Sequence, residues 1–285
     1  MKKSKRIINY FFICMVGILT FYVGVSSPKA LGREFTNYYG ITITSDEYQT
    51  LLNLGFSEDE IYYMTEDIFN ENKDLSATLL AKTKKYYKTV YPTYGNSYTV
   101  EVTEDEYNNH DDVSLRGYVE TTYKTIVSTI STINSSTSRF KVSESWKNIP
   151  VVKSYDVIGV GFNGNIHIDN GITFNYTYTL SSGATYTEST YYFKNYSSTG
   201  GTTTFKLPNS FVGLSSMMYY NVVKDTGASV SSLYMCGDYA HATTTVTGNQ
   251  AASHDVDIGG INFSSSVVNK FDETPCANSS ASVSW

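Results

Sequence analysis

Hydrophobic and polar positions alternate with a period of two through much of the chain, most plainly over residues 116–147. The first part of that stretch, 117–133, is dense in Thr, Tyr, Val and Ile, residues that suit a pleated, half-buried surface. Asn134-Ser135-Ser136-Thr137 then supplies turn chemistry, because short polar side chains bond the local backbone. Beyond it Phe140, Val142 and Trp146 fall on one face and Arg139, Lys141, Ser143, Ser145 and Lys147 on the other. The pattern predicts one long β-hairpin around which the rest is arranged. Later stretches repeat the theme. Residues 153–162 are apolar on both faces, as in a central strand, and Gly159 and Gly161 there permit close backbone approach. Ile172, Phe174, Tyr176, Tyr178 and Leu180 alternate with polar neighbours. Further strands are expected at 185–193, 202–207, 217–224, 230–236, 239–247, 255–263 and 281–285.

The period changes near the N-terminus. Thr44-Ser45-Asp46-Glu47 and Ser57-Glu58-Asp59-Glu60 fit capping boxes, and Thr65-Glu66-Asp67 is a third helix start. Tyr48, Leu51 and Leu52, then Ile61, Met64 and Ile68, form apolar stripes, and Gly55 suits a left-handed stop. Two or three short helices follow, too few to hold a core alone. The first strand is expected at 84–91, and residues 104–112 read as an exposed acidic loop. The fold class is therefore mainly β (α+β overall): an antiparallel β-sandwich with a small N-terminal helical unit. The expected division is 1–30 as a signal peptide, 31–95 as the helical unit with the first strand, and 96–285 as the sandwich.

The export reading rests on Lys2, Lys3, Lys5 and Arg6 ahead of an apolar run over residues 7–25, with cleavage near Ala30. The run is also long enough to stay as an uncleaved anchor. Five of the 21 basic residues and none of the 27 acidic ones lie before residue 31, which leaves 16 against 27 and a formal charge of −11. Phosphate backbones reward clustered Lys and Arg, so nucleic acid is not an expected partner, nor is an anionic membrane after signal removal.

The segment Leu51-Leu52-Asn53-Leu54-Gly55-Phe56-Ser57-Glu58-Asp59-Glu60-Ile61, with Asn72-Lys73-Asp74-Leu75, Lys85-Tyr86-Tyr87-Lys88, Trp146-Lys147, Ser154-Tyr155-Asp156-Val157-Ile158-Gly159 and Gly237-Asp238-Tyr239-Ala240-His241-Ala242, resembles exported proteins of Gram-positive bacteria of the Bacillus and Clostridium type. Those proteins are uncharacterised. The resemblance implies a secreted bacterial origin and carries over no catalytic residue.

Candidate chemistry is sparse. His110, His167, His241 and His254 form no zinc motif, although His254, Asp255 and Asp257, or His110, Asp111 and Asp112, have the donors of an oxygen-rich metal site. Cys236 and His241 lie within six residues, yet on one strand their odd separation turns them to opposite faces. Cys236 and Cys276 are either a disulfide closing a loop of about 40 residues, worth ~4 kcal/mol, or two buried thiols. No cofactor is implied. Tyrosine is abundant, with 26 in the chain. Tyr191, Tyr192, Tyr219 and Tyr220 are the candidate ligand-binding residues, since a flat ring with a polar tip suits a surface that grips a cell-wall glycan or a protein. The function this supports is a secreted, non-enzymatic binding module. Two alternatives differ in class: a β-type pore former using the Ser/Thr-rich hairpin arm, and a hydrolase without a recognisable motif. Against the pore, Lys124 shares the face of Ile126.

Overall fold

The computed structural model describes residues 34–92, 97–109, 120–272 and 274–285. The expected signal segment, residues 116–119 of the hairpin and the His110 cluster lie outside them. In chain order, β1 (Phe35–Thr36) and β2 (Thr42–Ile43) precede α1 (Ser45–Asn53), α2 (Glu58–Tyr62) and α3 (Glu66–Asn72). Then come β3 (Thr78–Tyr91), β4 (Tyr98–Val102), α4 (Glu104–Asn109), β5 (Glu120–Asn134), β6 (Thr137–Trp146), β7 (Tyr155–Asn163), β8 (Ile166–Ile168), β9 (Thr173–Thr179) and β10 (Thr185–Glu188). The chain continues with β11 (Phe193–Ser197), β12 (Gly200–Lys206), β13 (Gly213–Lys224), β14 (Ser232–His241), α5 (Gly248–Ala251), β15 (His254–Asp257), β16 (Gly260–Phe263) and β17 (Ala277–Ser282).

The strands form an antiparallel sandwich. One sheet runs β10-β9-β13-β6-β5-β3-β4, with β8 also on β13, and the other runs β11-β12-β7-β14-β17. The organising hairpin is present as β5 and β6, with Ile126 opposite Glu144 and Ile130 opposite Phe140. Ile126, Ile130, Phe140, Val142 and Trp146 turn toward the second sheet and meet Val160, Phe162, Phe205, Met235 and Tyr239 in one core. The sheets approach closely at Gly237, where a side chain would collide with Ser128 and Val142. That glycine is no break: the two strands expected on either side of it are the single strand β14. Gly161 serves the other face, its Cα pressed against the Asp257 carbonyl of the β15–β16 hairpin. β5 is paired on both edges, to β3 and to β6. It is an interior strand of the large sheet. No helix among the described residues is long and apolar enough to cross a membrane.

Several boundaries differ from the sequence pattern. β3 begins at Thr78, and because it pairs with β5 a division after residue 95 would cut the large sheet. Residues 104–109 are helical, with Thr103 Oγ1 accepting from the Glu106 amide. The stretch 185–193 splits, β10 closing one sheet and β11 opening the edge of the other. The stretch 255–263 is a hairpin turning at Ile258-Gly259, and the last strand ends at Ser282.

The helical unit is fastened to the outer face of the first sheet. Thr44 with Glu47 and Ser57 with Glu60 close full capping boxes, whereas Thr65 makes no side-chain cap. Leu51, Leu54, Phe56, Ile61, Met64, Ile68 and Phe69 share a core with Met217 and Tyr219 of β13. The polar face of β6 is buried beneath them: Lys141 is 2.8 Å from Glu60, while Arg139 bonds Asn221 and Asn72 and lies 4.2 Å over the Tyr219 ring. Burial would raise the Glu60 carboxyl, but Lys141, with hydrogen bonds from Lys141 and Ser143, holds it below the usual range. Its contribution is therefore present above the unfolded value of 4.5 and is lost as pH falls through the lower folded value. Glu60→Ala leaves Lys141 desolvated and unpaired. It is expected to cost about 3–5 kcal/mol, read as a lower urea midpoint. Replacing both partners by apolar residues is expected to cost less than Glu60→Ala alone.

Candidate functional site

Between the edge of one sheet and the edge of the other, the segment after β10 exposes a run of aromatic rings. Tyr191, Tyr192 and Tyr196 are 49%, 47% and 50% exposed. They are nonetheless held. The Tyr192 ring packs 5.4 Å from Tyr155 and its hydroxyl donates to Asn249 Oδ1 at 2.6 Å. Lys194 Nζ lies 4.2 Å over the Tyr191 ring. The Tyr196 hydroxyl accepts from the Ile172 amide at 3.1 Å, which sets that ring against an open groove of about 470 Å³. His167, Asp169, Asn170, Gly171, Tyr196 and Ser197 line the groove. At its rim His167 Nδ1 is 2.7 Å from Asp225. A fixed ring beside amide, hydroxyl and carboxylate groups can stack on an apolar ligand face while bonding the hydroxyls around it.

The other candidates fare differently. Tyr219 and Tyr220 are each 1% exposed and cannot meet a ligand, a correction to the sequence reading. β13 lies inside the sheet with both faces covered, so Tyr219 turns to the helical unit, and the Tyr220 hydroxyl donates to the Val160 carbonyl between the sheets. His254, Asp255 and Asp257 do not converge. His254 is buried with Nδ1 2.8 Å from the Ala251 carbonyl and Nε2 2.8 Å from Thr202 Oγ1, while the strand pleat turns both aspartates to the exposed side. Among the described residues no group of three His, Cys, Asp or Glu side chains is placed to hold a metal. Cys236 and Cys276 are joined by a disulfide, with Cα atoms 5.3 Å apart. Cys236 thus offers no free thiol to His241.

The structure also assembles a site that sequence reasoning missed. Lys124 of β5 and Asp272, 148 residues apart, form an ion pair of 2.7 Å with neither side chain exposed. The Asp272 carboxylate also accepts from the His241 amide at 2.6 Å and from Thr89 Oγ1 at 3.1 Å. Lys124 Nζ lies 5.1 Å from both the Trp146 and Tyr239 rings. Asp156 holds His241 Nδ1 at 2.9 Å and accepts the Tyr239 hydroxyl. Glu144, diagonal to Lys124 across the β5–β6 register, accepts from Ser216 at 3.1 Å. Burial pushes its carboxyl well above the usual range against the pull of Lys124, and Asp156 and Asp272 add to the rise. The one signal in the sequence was a lysine on an apolar face.

No protein-family model matches the chain, and no curated protein matches it. Solved structures with a similar arrangement include the collagen-binding domain of the Erysipelothrix rhusiopathiae surface protein RspB. That match has 8% identity and a TM-score of 0.31, covering 58% of this chain and 63%, less than two thirds, of that one. A collagen-binding domain from a Staphylococcus aureus adhesin matches with 11% identity and a TM-score of 0.26, over 53% of this chain and 90% of that one. AvmM, described as catalysing macrocyclization in alchivemycin A biosynthesis, matches with 13% identity and a TM-score of 0.23, over 52% and 80%. At these scores the likeness carries no argument about this chain, and the ligands and reactions of those proteins do not transfer.

On the outer face of β14, Asp238 accepts from the Tyr239 and Ile261 amides at 2.7 and 2.8 Å, yet burial raises its pKa to about 6. Folding thus favours its protonated form. The stabilisation is complete below the unfolded value of 3.8 and is lost as pH rises through about 6. The loss is on the order of 3 kcal/mol. Asp238→Asn is expected to flatten that decline, measured by urea midpoints at a series of pH values. An unchanged slope would show that another group carries it.

Proposed function

We propose that this chain is an exported, non-enzymatic binding module that holds a neutral cell-wall glycan in the groove beside Tyr196. The observation that carries the reading is the Tyr196 ring, half exposed yet pinned through its hydroxyl, at the wall of a groove rich in hydrogen-bonding groups. A tyrosine with two side-chain torsions presents rigid contact area at low entropic cost. The excess of acidic residues beyond residue 30 favours an uncharged ligand over an anionic polymer. Export follows from the basic and apolar pattern of residues 1–30.

Residues 31–285, which include the compact unit beginning at Arg33, should sediment with purified Gram-positive cell walls and not with liposomes. Tyr196→Ala is expected to weaken wall binding about tenfold, the effect of losing roughly 1.4 kcal/mol from an anchoring ring. Equal sedimentation of that variant, or no wall binding by the parent chain, would end the glycan reading. Pelleting with liposomes and release of trapped dye would favour the membrane-acting alternative.

A further inference from the structure

We propose that Lys124 and Asp272 condense into an intramolecular isopeptide bond, a covalent tie between the organising hairpin and the segment ahead of the last strand. Nζ stands 2.7 Å from Asp272 Oδ2 with both groups fully buried, which holds the amine beside the carboxyl carbon it would attack. The two carboxylate oxygens are differentiated. Oδ1 takes the His241 amide at 2.6 Å, a donor placed to stabilise negative charge as the carbonyl carbon is attacked, while Oδ2 takes Thr89 and Lys124. Trp146 and Tyr239 wall the pair. Excluding water removes the reactant that would reverse an amide condensation.

Glu144 is the proton relay. It shares the inner face with Lys124 on the neighbouring strand, and its Oε1 meets no hydrogen-bonding partner among the described residues. The ammonium first passes one proton to Oδ2, leaving a neutral amine and a neutral acid. The nitrogen lone pair attacks Cγ and forms the C–N bond. Glu144 gives its proton to Oδ2, the C–Oδ2 bond breaks, and water leaves. The carboxylate of Glu144 then recovers a proton from nitrogen. Oδ1 becomes the amide carbonyl, still held by the His241 amide. No oxidant, metal or further reactant enters, and the opposite charges of the pair are consumed together.

Mass spectrometry of the folded protein, after unfolding, reduction and proteolysis, tests this directly. The expected product is one branched species joining the Lys124 and Asp272 peptides, lighter than their sum by one water and stable to reduction, unlike the Cys236–Cys276 link. It should be absent from Asp272→Ala and strongly reduced in Glu144→Gln, which keeps the shape of the side chain. Recovery of the two peptides separately and at full mass from folded parent protein would overturn the proposal. Complete linkage in Glu144→Gln would overturn the assignment of the relay.

Discussion

A lysine ammonium taken wholly out of water must be met by a carboxylate, and the interior of this sandwich is arranged around that requirement. Lys124 points into the space between the sheets, where a bare charge would be prohibitive. Asp272 meets it, and Asp272 is itself held by amide and hydroxyl donors from two other strands. Because the His241 amide of β14 holds Asp272, sliding one sheet over the other would part the pair and leave both charges desolvated and unmet. On the other side of the large sheet, Lys141 of β6 imposes the same condition on the helical unit, which answers with Glu60, while Arg139 is met by the Asn72 and Asn221 side-chain oxygens and the Tyr219 ring. The hairpin β5–β6 therefore lies between two layers of buried charge. Such pairs add less net stability than their geometry suggests, but they penalise every alternative packing.

Much of this was legible in local pattern. Alternation located β5 and β6, and the Thr44/Glu47 and Ser57/Glu60 spacings marked two helix starts that the structure caps as written. Lys124 on the face of Ile126 stood out as an anomaly, but its partner lies 148 residues away and no periodicity spans that distance. The pattern ended one strand at 236 and began the next at 239, yet at Gly237 between them the missing side chain admits Ser128 and Val142 of the opposite sheet and the strand runs on. Tyr219 and Tyr220 show a related limit. A tyrosine hydroxyl is satisfied equally by solvent or by a buried partner such as the Val160 carbonyl, and only the sheet order decides between them. The groove at Tyr196 was invisible for the same reason, since it forms only where β11 meets the turn between β8 and β9.

The two notable sites divide the labour of the fold. The charged cluster lies buried between the sheets, while the aromatic rings occupy an exposed crossing segment between β10 and β12. A groove on such a crossing inherits rigidity from the strands on both sides, and its lining can vary without disturbing the core.

The disulfide has a mechanical meaning. Cys276 immediately precedes β17, and Cys236 sits in β14, to which β17 is paired. Tension applied at Trp285 would first peel β17 from the sheet edge, one pair of backbone bonds after another. It would then reach Cys276 and stop, because the load passes through the sulfur bridge into the interior strand β14. The chain is thus built with a fuse of a few residues, which yields and can re-zip, ahead of a strand tied covalently into the sheet.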